Sequence, residues 1–64
     1  MTIDVYEAEL RAAGWSIGDT AVYTPTGVVW MVYGRRGEQR IVIKAPKQSQ
    51  AWREAANSIR RIRP

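Results

Sequence analysis

The run GVVWMVYGRRGEQRIVIK, residues 27–44, decides how this chain folds. Between Val28 and Tyr33 every residue is β-branched, aromatic or long and apolar, and glycines bound the run on both sides. That composition predicts a strand rather than a turn of helix. Side chains alternate along a strand, so Val28, Trp30 and Val32 take one face and Val29, Met31 and Tyr33 the other. A strand apolar on both faces suits the centre of a sheet. From Gln39 to Lys44 the alternation is cleaner, Ile41 and Ile43 against Arg40, Val42 and Lys44, which predicts a half-solvated neighbour. Gly34 and Gly37 are free to take positive φ, so Arg35 and Arg36 are expected at an exposed hairpin tip.

The flanking sequence supplies what covers this hairpin. On the N-terminal side, Asp4 and Glu7 carry the spacing of a helix N-cap and its reciprocal partner, and both acids suit the positive end of a helix dipole. Ile3, Tyr6, Leu10 and Ala13 form one apolar stripe of that helix, and Gly14 is expected to close it in a left-handed conformation. Trp15 and Ile17 then fold back on the core, Gly18-Asp19 turns the chain, and a short strand runs from Thr20 to Thr24. Thr24-Pro25-Thr26-Gly27 has proline second and glycine fourth, as a type I turn prefers, so this strand pairs antiparallel with the next. On the C-terminal side, Ala45-Pro46 ends the third strand, since proline has no donor for the ladder. Trp52, Ala55, Ile59 and Ile62, supported by Ala51 and Ala56, recur at helical spacing and predict a second helix lying on the sheet.

The expected fold is therefore α+β, in the order α-β-β-β-α: a three-stranded antiparallel meander with two helices packed on one face, in one domain over residues 1–64. So short a chain buries only about 60% of its unfolded surface, which limits its stability. The opposite sheet face then exposes an apolar row, Met31, Tyr33 and Val42 in this register, which suits a binding surface or a dimer seam.

Much chemistry lacks its residues. The chain has neither cysteine nor histidine, so there is no disulfide framework, no thiolate metal site and no imidazole base. Six carboxylates are scattered singly, the serines have no activating partner in sequence, and the glycines form no phosphate-cradling loop. The expectation is a protein that is not an enzyme and takes no cofactor or metal. Met1 is followed by Thr-Ile-Asp rather than a basic and apolar leader, and no run approaches a membrane span, so a soluble cytoplasmic protein with no membrane partner is expected.

Charge is distributed unevenly. Residues 1–34 set four acids against Arg11, a net charge of −3, whereas residues 35–64 set seven arginines and two lysines against Glu38 and Glu54, a net charge of +7. Such asymmetry suggests an acidic partner, DNA or RNA foremost. Three constellations are candidates: Arg35 and Arg36 at the tip with Arg40 and Lys44 on the third strand; Tyr33, with Trp30 as a second candidate, as stacking surfaces; and Lys47, Arg53, Arg60 and Arg61 along the second helix. Each has a plainer structural explanation in a solvated turn, core packing or complementing of the helix dipole. The alternative to nucleic-acid binding is a protein interaction module, a homodimer or an inhibitor of a larger partner, that uses Met31, Tyr33 and Val42.

In its order of elements the chain resembles the double-stranded RNA-binding domain. Lys44 and Lys47 fall where that family carries part of its lysine cluster, and Ala51, Ala55 and Ala56 match its alanine-rich second helix. The resemblance implies a helix, a three-stranded sheet, a second helix, and RNA contacts near the start of that second helix. Gly14-Trp15 is similar to the end of the first helix in the HicA class of small toxins, which share the topology but cut RNA with a histidine this sequence does not have. Trp30, Lys44 and Ala51-Trp52 are similar to the N-terminal module of phage integrases, which implies contact with DNA through the sheet.

Overall fold

The computed structural model describes residues 2–61. Five elements follow in the order α1 (Ile3–Ala12), β1 (Ser16–Thr24), β2 (Gly27–Arg36), β3 (Gln39–Ala45) and α2 (Gln48–Arg61). The strands form one antiparallel sheet in the order β1-β2-β3, so the strand that is apolar on both faces is central. Ile62, expected on the apolar side of α2, and Arg63 lie outside the described residues.

Cross-strand partners share a face, so the register divides the sheet into two surfaces. Ile17, Asp19 and Ala21 of β1, Trp30, Val32 and Gly34 of β2, and Ile41, Ile43 and Ala45 of β3 lie on the covered one. Against it α2 packs on β2 and β3, while α1 packs on β1 and beside α2. Leu10, Trp15, Val32, Ala51, Trp52 and Ala55 are at the heart of the core. The shortest dimension of the fold, 17 Å, has room for one sheet and one layer of helices, and the other sheet surface is left open.

Local chemistry explains the element ends. At the end of α1, Gly14 stands at φ 92, its N–H donates to the Arg11 carbonyl at 3.0 Å, and the Trp15 N–H donates to the Leu10 carbonyl at 3.1 Å. This is a Schellman closure, with Leu10 and Trp15 making its accompanying apolar contact in the core. The other end of α1 differs from the sequence expectation. Thr2 holds the cap position without a side-chain bond, and Asp4 lies inside the first turn, where its charge still suits the dipole.

Two further differences concern the strands. β1 starts at Ser16 instead of Thr20, and Gly18-Asp19 is strand, not turn. Across from Gly18 stands Tyr33, and a Cβ on Gly18 would lie 3.1 Å from the Tyr33 hydroxyl, so the ring occupies the space that the glycine leaves. Asp19 points under α2, where its Oδ2 accepts from Gln48 Nε2 at 2.7 Å and from Trp52 Nε1 at 3.0 Å. The β2–β3 hairpin is also tighter than expected. Gly34 is a buried strand residue without positive φ, and the turn is Gly37-Glu38, with positive φ (60) at Gly37 alone, the pattern of a type II′ turn. The Pro25-Thr26 loop has both central residues at negative φ, as a type I turn requires, and Thr24 Oγ1 donates to the Gly27 carbonyl at 2.8 Å.

Candidate nucleic-acid interface

The open surface of the sheet comes in rows, each row set by one register position. Ser16, Arg35 and Arg40 form the row nearest the β2–β3 turn; Gly18, Tyr33 and Val42 form the next; Thr20, Met31 and Lys44 the third; Val22 and Val29 the fourth. Among the described residues, no acidic side chain lies on this surface and none of Arg35, Arg40 and Lys44 forms an ion pair. Like charges directly opposite each other on a sheet repel, and Arg35 faces Arg40 with no intervening acid. The arrangement is one that an anion would stabilise.

Between the first two rows is a shallow concavity of about 570 Å³, lined by Ser16, Gly18, Tyr33, Arg35, Arg40 and Val42 together with Ile17, Gly34 and Ile41. Gly18 and the Tyr33 ring that rests over it both belong to its lining. Tyr33 is 45% exposed and Val42 60%, so the apolar part of the surface is accessible beside the cations. Arg35 is held by its Nε, which donates to the Gly37 carbonyl at 3.0 Å, and its remaining N–H groups have no protein acceptor among the described residues.

The other basic candidates divide into engaged and free. Arg36 projects to the helix side: its Nη1 donates to the Ala13 carbonyl at 3.1 Å, two of its nitrogens donate to Gln39, and its guanidinium lies 5.1 Å from the centroid of the Trp15 ring. It is thus tied to the end of α1 and does not stand free at a tip. Arg60 makes a two-pronged bridge to Glu9, with 2.7 Å and 3.0 Å bonds that join α2 to α1. This hydrogen bond and the carboxylate charge raise the Arg60 pKa further above its ordinary value. Lys47, at the start of α2, and Arg53 and Arg61 on its outer side are exposed. The structure therefore brings Arg35, Arg40 and Lys44 together with Met31, Tyr33 and Val42, and leaves Lys47, Arg53 and Arg61 on another surface.

Among the aromatic residues, Trp15 and Trp52 are buried, and Trp30 lies half-buried on the covered surface, so it does not stand beside Tyr33. Gly18 was not legible as part of the site, because its role depends on Tyr33 crossing it from another strand. Among the described residues no three metal-ligating side chains converge, and no helix is long and apolar enough to cross a membrane. No family model, curated protein or solved structure matches this chain.

Proposed function

We propose that this protein is a non-enzymatic nucleic-acid-binding module whose contact surface is the open side of the sheet. One observation carries the reading: Arg35, Arg40 and Lys44, cations without an ion pair among the described residues, share that surface with an exposed tyrosine and with no acid. Phosphate is the commonest anion for which arginines and an aromatic ring on one face are suited, the charges holding the backbone and the ring stacking on a base. Lys47, Arg53 and Arg61 are available for secondary contacts, whereas Arg36 and Arg60 already have structural work.

The test is a mobility-shift titration over a salt series. Changing Arg35, Arg40 and Lys44 together to alanine is expected to abolish the shift at moderate salt and to lower the magnitude of the slope of log K against log salt by about 2 to 3, roughly 0.7–0.9 for each phosphate no longer neutralised. The Arg53, Arg61 double change should leave most of the binding. No shift by the parent protein with DNA or RNA at low salt would refute the reading.

A second reading is favoured by a different observation. β2 begins at Gly27 but its pairing with β3 stops at Trp30, so the β1–β2 hairpin projects past the sheet with Tyr23 82% and Val28 42% exposed. No charged residue occurs from Thr20 to Gly34. A protein contact there or across Met31, Tyr33 and Val42, with a second copy or an unrelated chain, would resist salt, since apolar burial is not screened. Sedimentation over a concentration series separates it from the first.

A further inference from the structure

We infer that the preferred ligand is a single strand rather than a duplex, and that Tyr33 holds one unpaired base between two phosphates; the inference rests on the nucleic-acid reading above. The register is what argues for it. Tyr33 occupies the second row of the open surface, Arg35 and Arg40 the first, and Lys44 the third, so the ring has cations on both sides along the strand direction. Adjacent rows are two residues apart, ~7 Å along a strand. A base on the ring with its two flanking phosphates directed to the neighbouring rows needs base and backbone to meet the same flat surface. An extended single strand does that. In a duplex the base faces are stacked inside and only the phosphates reach a flat sheet, so Tyr33 would have nothing to stack on.

Gly18 fits the same account. The Tyr33 ring rests over it, and any larger residue at 18 would push the ring from this position, since the first added carbon already stands 3.1 Å from the hydroxyl and 3.2 Å from Cζ. Nearly half of the tyrosine is exposed above that contact, which leaves ring surface available to a base.

The experiment uses the full chain and three fluorescein-labelled probes: a short oligothymidylate, an abasic strand of equal length, and a blunt duplex. The parent is expected to bind the oligothymidylate roughly tenfold or more tighter than the duplex at the same salt. Tyr33→Ala should weaken the oligothymidylate roughly five- to hundredfold, the worth of one stacked base, and leave the abasic strand unchanged. The Arg35→Ala, Arg40→Ala double variant should weaken both strands alike. Gly18→Val, at a backbone position of ordinary φ in a strand, keeps every cation; once circular dichroism shows it folded, it should reproduce the Tyr33→Ala pattern in weaker form. Duplex bound as tightly as the single strand, a Tyr33→Ala loss equal on the abasic strand, or folded Gly18→Val indistinguishable from the parent would each overturn the inference and leave phosphate binding standing. Failure of the parent to bind any probe at low salt would overturn the nucleic-acid reading with it.

Discussion

Two glycines in paired strands do opposite jobs, and the difference is one of which surface they face. Gly34 lies on the covered side, where an added Cβ would stand 2.9 Å from Ile17 Cδ1 and 3.3 Å from the Ser16 carbonyl. Gly34→Ala is therefore expected to lower stability by about 1–3 kcal/mol, the usual cost of overpacking, as measured by urea unfolding. Gly18 faces the open side and only the far end of the Tyr33 side chain opposes it, so the corresponding change there should alter unfolding little. Arg36 is the other residue with a single-site consequence. Arg36→Ala removes its bond to Ala13 and its place over Trp15, and a loss of about 1–2 kcal/mol is expected. A stability equal to the parent's would mean that Arg36 is free in solution. None of this could be read from the sequence, because Arg36 and Ala13 are separated by 23 positions and meet only when the meander is formed.

At the level of elements, the composition of β2 was sufficient. A run apolar on both faces suits the centre of a sheet, where β1 and β3 pair with its two edges, and the two amphipathic flanks supply the helices that cover one side. The length of β1 was not legible, since Gly18-Asp19 has turn chemistry in isolation. Tyr33 across the strand and Trp52 beneath Asp19 make it a strand, and both are distant in sequence. Likewise Gly34 resembles a turn glycine until Ile17 and Ile41 are seen to fill the space beside it. Two predictions belong at this scale. Amide exchange should be slowest from Trp30 to Gly34, where β2 is paired on both sides, and faster at Val28, which has no β3 partner; equal protection across 28–33 would show a further partner on the projecting hairpin. Trp52→Ala should cost about 3–5 kcal/mol, because it empties core volume and takes a donor from Asp19. In a chain this short such a loss is expected to unfold most of the population, read by circular dichroism.

For the whole molecule, pairing sorts the charges into two sets. Glu7 is taken by Arg11 and Glu9 by Arg60, which fastens α1 to itself and to α2, and among the described residues the cations without an ion pair include Arg35, Arg40 and Lys44 on the open sheet surface and Arg53 and Arg61 on the outer side of α2. The uneven charge of the sequence pointed to a basic surface, but not to which one, since that choice depends on the register of β2 and β3 and on the partners of Arg36 and Arg60. Binding of an anionic chain to the open sheet surface is tested most directly by amide chemical-shift mapping of the isotopically labelled protein with an oligonucleotide. Shifts concentrated at Gly18, Tyr33, Arg35, Arg40, Val42 and Lys44, with Arg53 and Arg61 little affected, are the predicted result; shifts confined to Lys47, Arg53 and Arg61, with the sheet unmoved, would contradict it.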